Sequence, residues 1–283
     1  MHGVVVNEPL NRPGGVVDVP IRYPYVSAGG GQYASLIDDV ASFRRPWDNN
    51  FPHRAAWGPF KRLAFRLVWE KRKMLWQTLG LATRLRLPLP PVLWKDSFVT
   101  FAMPYLMAHY DVRAVCMIRH PAGVYAGFQK RNWPFNIGLL RQQSELVQNY
   151  GRSILPAQWE HAQTNLAASM AILWKLMIRL IGELADRDSR ILLVRHEDLC
   201  RNPVSVAEMM VAHFGLGLSP GARKFLIRHT QGESVRGDNN DPHSLVRDSQ
   251  AIPDAWRKQI SGGDEAIMQD IIGDDFYKIY PQW

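Results

Sequence analysis

The sequence predicts an α/β fold with a parallel sheet covered on both faces. Three observations predict it. Short β-branched runs alternate with helix-length stretches along the chain. Apolar residues in the longest stretch repeat at three- and four-residue steps. No internal repeat or polar linker interrupts the alternation, as expected of a single domain over residues 1–283.

The elements follow in order. "GVVVN" (3–7) is a short strand, and "GQYASLIDDVASF" (31–43) a helix. "GPFKRLAFRLVWEKRKMLWQTLGLATRL" (58–85) reads as a long basic helix and "PVLWK" (91–95) as a strand. "SFVTFAMPYLMAHY" (97–110) is helical, with Pro104 expected to disturb it. "RAVCMIR" (113–119) is a strand that leads into a helix from Pro121 to about Lys130. One helix is expected over 157–185, with Leu166, Met170, Leu173, Met177, Leu180 and Leu184 on its apolar face. "RILLVR" (190–195) is the last strand, and "PVSVAEMMVAHFG" (203–215) a helix ended by Gly215.

Composition excludes several classes. At 46% hydrophobic and 21% charged, with ten Trp, the chain is neither disordered nor low in complexity. Two cysteines, Cys116 and Cys200, do not make a disulfide scaffold, and a reducing, cytoplasmic setting is expected. Lys175 and Arg179 interrupt the most apolar stretch, which falls short of a spanning segment. A net charge of +8 points to an anionic partner: nucleic acid, an anionic membrane or a phosphorylated small molecule.

Ligands of an open parallel sheet bind at the carboxyl ends of the strands. There the sequence sets Lys95, Asp96 and Ser97; Arg119 and His120; and Arg195, His196, Glu197 and Asp198. Arg119 is followed by Pro121 in the first turn of a helix, where forked donors, free N–H groups and the helix dipole together suit a phosphate. The same arginine could pair with a carboxylate to hold the strand end. Lys95 could neutralise charge on a transferring phosphoryl or sulfuryl group, or be a solvated lysine beside an N-capping Asp96. Glu197 and Asp198 read as caps for the helix near Pro203.

Taken together, "VVNEPLN", "WKDSF", "VCMIRHPAGVYAGF", "LLVRHEDLCRNP" and "AWRKQI" resemble, in order and spacing, the sulfotransferase family. The resemblance covers nearly the whole chain and is closest to the bacterial branch related to carbohydrate sulfotransferases. It implies a three-layer P-loop-like α/β fold. It also implies sulfuryl transfer from 3′-phosphoadenosine 5′-phosphosulfate (PAPS), as co-substrate and without a metal, to a hydroxyl or amine of an unknown acceptor. That acceptor could be a carbohydrate, a lipid or a small molecule; no specific nucleic acid is expected.

By resemblance Arg119 grips the nucleotide's 3′-phosphate and Lys95 stands at the sulfuryl group. His196 falls near the adenine, and Arg247, Trp256 and Arg257 fall in a late segment that closes over the nucleotide. Gly127 stands where the family has a serine on the 3′-phosphate, a loss of one hydrogen bond, roughly 0.5–1.5 kcal/mol. Asp96 is the first choice for the base that takes the acceptor's proton, with Glu8 and His120 as rivals.

The resemblance also implies a phosphosulfate loop of the form P-R-S-G-T-T, on a strand before the "NEPLN" segment. That segment begins at residue 7, and "SAGGGQYAS" (27–35) reads as a flexible loop rather than a substitute. The expectation is therefore a first inner strand missing between those that carry Arg119 and His196. The chain as printed would then be poorly stable and inactive. Competing readings are a degenerate non-catalytic relative, a nucleotide-dependent phosphotransferase, and a nucleic-acid or membrane binder using the basic stretch 54–86.

Overall fold

Among the described residues four strands make two parallel pairs. A computed structural model describes residues 4–11, 15–47, 59–230 and 249–283, and Arg247 lies outside the described residues. The chain divides into two units, Met1–Tyr110 and Asp111–Trp283.

In the first unit β1 (Val4–Asn7) pairs in parallel with β2 (Val92–Lys95), in a register that sets Asn7 opposite Lys95. Alternation turns Val6 inward and leaves its neighbour Val5, with Leu93 opposite, on the outer face. Between the strands lie α1 (Ala34–Ala41) and α2 (Pro59–Arg84). Residues 27–30, expected as a flexible loop, close a tight turn in which Gly30 N–H donates to Ser27 O at 2.9 Å. The Trp76 indole anchors α2, donating to Arg45 O at 2.7 Å with its ring 5.0 Å from Phe43 and 5.3 Å from Trp47. After a 3-10 turn (Thr100–Ala102) comes α3 (Met103–His109). Pro104 does not disturb this helix, because it sits in the first turn, where no N–H is needed. Tyr105 and Tyr110 both donate to the Asp38 carboxylate, which ties α3 to α1.

In the second unit β3 (Ala114–Ile118) leads into α4 (Pro121–Lys130). Short helices α5 (Gly138–Arg141) and α6 (Ser144–Tyr150) follow. The single helix expected over 157–185 is two, α7 (Pro156–Thr164) and α8 (Leu166–Arg187). Asn165 makes the break: its extended backbone leaves α7, and its side chain accepts from Ala168 N–H at 2.9 Å to cap α8. From Ala167 to Leu176 every residue of α8 is buried, Ser169 and Lys175 included. Among the described residues no helix is long and apolar enough to cross a membrane.

β4 (Ile191–Arg195) pairs in parallel with β3, with Ile118 opposite Arg195. This corrects one expectation: the strands that carry Arg119 and His196 to the sheet edge are direct neighbours, and their facing backbone groups satisfy each other, so no strand is missing between them. Then come α9 (His196–Arg201), α10 (Pro203–His213), α11 (Pro220–Thr230) and α12 (Gly262–Ile272). Glu197 and Asp198 therefore lie in the first turn of α9 rather than capping the helix at Pro203.

A buried ion cluster joins α8 to the chain after α12. Lys175 Nζ donates to Ile271 O at 2.7 Å and Ile272 O at 3.2 Å, capping the end of α12, and lies 3.6 Å from Asp275. Arg179 reaches the same carboxylate at 2.7 Å and Tyr150 O at 2.9 Å. Burial alone would raise the Asp275 carboxyl, but Lys278 and Arg179 hold it below its ordinary range. Asp275→Ala leaves buried cations uncompensated, and urea unfolding should show a loss of about 3–5 kcal/mol. In the wild type this contribution is present above the unfolded carboxylate value, about 3.9, and is lost as pH falls through the lower folded value.

Candidate functional site

The carboxyl edge of the first pair carries Lys95 and two carboxylates. The Lys95 side chain is 67% exposed, with Nζ 3.3 Å from Asn7 Oδ1 and 3.4 Å from Glu8 Oε1. Glu8 leaves β1 with φ 51, a left-handed conformation unusual outside glycine. Its N–H donates to Lys95 O at 2.6 Å, and its Oε2 accepts from Asn11 at 2.8 Å.

Asp96 is placed differently. Its Oδ2 accepts from Leu10 N–H at 2.8 Å and its Oδ1 from Phe98 N–H at 2.8 Å. Burial pushes its carboxyl up to about 6, against those two hydrogen bonds, which lower it. Asp96 braces the 8–10 loop, and the turn that follows is entered through Val99. The carboxylate beside Lys95 Nζ is Glu8.

At the edge of the second pair, β3 ends at Ile118, and Arg119 and His120 make the step into α4. The backbone of that step is tied on several sides. Trp174 of α8 donates its indole N–H to Arg119 O at 2.9 Å. His120 N–H donates to the buried Glu197 carboxylate at 3.0 Å, and Glu197 also accepts from Tyr280 Oη at 2.8 Å. His120 caps α4, its Nδ1 accepting from Ala122 N–H at 3.3 Å. The imidazole stacks on Trp256 at 4.4 Å and 12°, ringed by Phe276, Tyr280 and Trp283. Its Nε2 is buried without a hydrogen-bond partner among the described residues.

The Arg119 side chain is half-buried and lies along α4. A Cβ at Gly123 would meet its Nε at 2.9 Å, and one at Gly127 would stand 3.9 Å from its Nη1. Bare helix surface is what lets the guanidinium lie there. No hydrogen bond or ion pair to this guanidinium is present among the described residues. Burial lowers its pKa, with Glu197 opposing. Arg195, at the end of β4, contrasts with it: it forks onto Asp198 at 2.6 and 2.9 Å.

The other expected residues fall nearby in the second unit. His196 opens α9, half-buried against Cys200 Sγ at 3.6 Å, and burial together with the Arg119 charge lowers its pKa. Trp256 is 3% exposed and committed to His120, with the Arg257 guanidinium over its ring at 4.5 Å. Arg257 is exposed and lies 3.3 Å from Asp254. A cavity of about 170 Å³ opens among His120, Arg195, Glu197, Arg201, Trp256 and Arg257. Sequence reasoning missed Glu197 as a brace. Glu197's partners lie 77 and 83 residues away, and local pattern does not reveal them.

No protein-family model matches the chain. It is 30% identical over 81 residues to mouse carbohydrate sulfotransferase 5, covering 29% of this chain and 20% of that protein. It is 31% identical over 79 residues to human carbohydrate sulfotransferase 1, covering 28% and 19%. The chain thus spans about a fifth of the length of these curated relatives. A solved structure, the sulfotransferase domain from the Synechococcus PCC 7002 olefin synthase, is similar at a TM-score of 0.39 and 17% identity, over 76% of this chain and 70% of that one. The sulfotransferase domain from the curacin biosynthetic pathway gives 0.38 and 13%, over 74% and 73%. Neither score reaches the level at which shared topology follows.

Burial, reinforced by the Arg257 charge, takes the His120 pKa down to about 3. An NMR titration from about pH 8 to pH 4 should find this imidazole neutral throughout. Because the folded value lies below the unfolded one, its contribution to stability is present above about pH 6.5 and declines as pH falls towards 3.

Proposed function

We propose, for a chain whose carbohydrate-sulfotransferase matches support a sulfotransferase family assignment, that it moves a sulfuryl group from PAPS to a hydroxyl or amine. A carbohydrate is the first candidate acceptor, since the matched relatives are named for that class. The observation that carries the reading is the Arg119 guanidinium. It is half-buried at a strand end, without a hydrogen bond or ion pair among the described residues, over the glycines of α4. A cation withdrawn from water in this way is stabilised by an anion, and a nucleotide's 3′-phosphate supplies one.

By resemblance, the residue for the sulfuryl group is Lys95, in the first unit. As the acceptor oxygen attacks sulfur, the bond from sulfur to the bridging oxygen of the phosphosulfate breaks. The electron pair goes to that oxygen, and adenosine 3′,5′-bisphosphate leaves. Lys95 stabilises the charge that develops there. The acceptor's proton goes to a carboxylate, and the geometry favours Glu8, close to Lys95, over Asp96, whose two oxygens both hold backbone N–H groups.

Calorimetry with adenosine 3′,5′-bisphosphate tests the nucleotide grip. Arg119→Gln should weaken binding about 10- to 100-fold, the scale of a charge-assisted hydrogen bond. Gly123→Ala should weaken it too, by displacing the guanidinium from the helix surface. Unchanged affinity in Arg119→Gln would remove the reading. In turnover assays, Lys95→Met should lower kcat by about 10²–10³ with little change in nucleotide affinity, and Glu8→Gln should fall further than Asp96→Asn.

A further inference from the structure

The bare face of α4 carries a second guanidinium. Gly123 and Gly127 are one turn apart on the same side of the helix. A Cβ at Gly127 would stand 3.4 Å from Arg131 Nη1 and 3.9 Å from Arg119 Nη1, so both arginines reach one point on the helix. Both are half-buried. Arg131 donates from Nη1 to Gly127 O at 3.1 Å and lies over the Trp133 ring at 5.0 Å. Among the described residues no carboxylate is within ion-pair distance of either guanidinium. The nearby acid, Glu197, is committed to His120 N–H and Tyr280 Oη.

A hydrogen bond from a basic residue to a carbonyl at the end of its own helix is ordinary capping. Capping does not account for a second cation turned towards the first. Two like charges in a half-buried place repel, and the Arg131 charge adds to burial in lowering the Arg119 pKa. An anion carrying two charges relieves both.

We propose that Arg131 is a second ligand for the phosphate that Arg119 holds, so that the site selects a dianionic phosphomonoester over a singly charged diester. The proposal rests on the Arg119 reading above. A monoester brings about two negative charges at neutral pH and loses the second near pH 6, whereas a diester brings one.

The test compares adenosine 3′-monophosphate with adenosine 2′,3′-cyclic phosphate on the full chain, by calorimetry or chemical-shift titration. Neither probe depends on contacts to a 5′-phosphosulfate. Arg131→Gln should weaken the monoester about tenfold or more and the cyclic diester about twofold or less. Arg131→Lys, which keeps the charge, should restore most of the monoester affinity. In the wild type, monoester affinity should rise with pH through about 6, and Arg131→Gln should flatten that rise. Thermal melts of each variant report whether the helix end has been damaged.

If Arg131→Gln binds the monoester like wild type while Arg119→Gln does not, Arg131 is only a cap and the Arg119 reading stands. Equal losses for both probes in Arg131→Gln would also overturn the proposal. If Arg119→Gln binds both probes like wild type, or wild type binds neither, the nucleotide reading itself fails and this inference with it.

Discussion

The step from β3 into α4 depends on the buried carboxylate of Glu197. By accepting from His120 N–H and Tyr280 Oη, it joins the carboxyl edge of the parallel pair to the chain's last residues. With Trp174 holding the Arg119 carbonyl, the backbone on either side of the Arg119 Cα is fixed. Only the side chain retains freedom, and the glycines of α4 decide where it lies. Removing the Glu197 carboxylate would strand a buried N–H and a buried hydroxyl together, a larger cost than the loss of either bond alone. The aromatic shell around His120 closes over the same step and keeps the imidazole neutral.

Against that rigid step, the distribution of cations becomes informative. Arg179 and Lys175 share Asp275, Arg190 forks onto Asp188, and Arg195 forks onto Asp198. These arginines and the lysine are ordinary structural cations, each with its acid. Arg119, in contrast, has been drawn half out of water onto a bare helix surface. Structure-making cations carry their counter-charge with them, and the proposed nucleotide grip rests on Arg119 having no such partner among the described residues.

Much of this was legible in the sequence, for local reasons. The strands fall within a residue or so of their β-branched runs, and α4 begins at Pro121 and ends at Lys130 as its cap and composition indicate. Arg119 stood out because a strand end followed by Pro is itself a local pattern. The break at Asn165 did not, because the apolar period continues across it and only the cap geometry divides the helices. Pairing order was also out of reach: β-branched runs reveal strands but not neighbours, so a gap was expected where β3 and β4 in fact share a register. Glu197 and Arg131 stayed invisible for related reasons. One depends on partners far along the chain, and the other looks like any basic residue at a helix end.

Glu8 and Asp96, at the edge that carries Lys95, show how position divides the roles of two carboxylates. Asp96 is fixed by two backbone donors, and its carboxyl still titrates upward because burial outweighs them. Taking a proton there would weaken a bond that holds the 8–10 loop, so its protonation is coupled to local structure. Glu8 has one oxygen on Asn11 and the other facing a lysine, and its left-handed backbone brings it there at a conformational cost. Such strain persists only where surrounding bonds maintain it, and here Glu8 N–H to Lys95 O does so. Asp96, whose carboxyl burial pushes up, is thus the brace of the 8–10 loop, whereas both Glu8 oxygens meet side chains, Asn11 and Lys95.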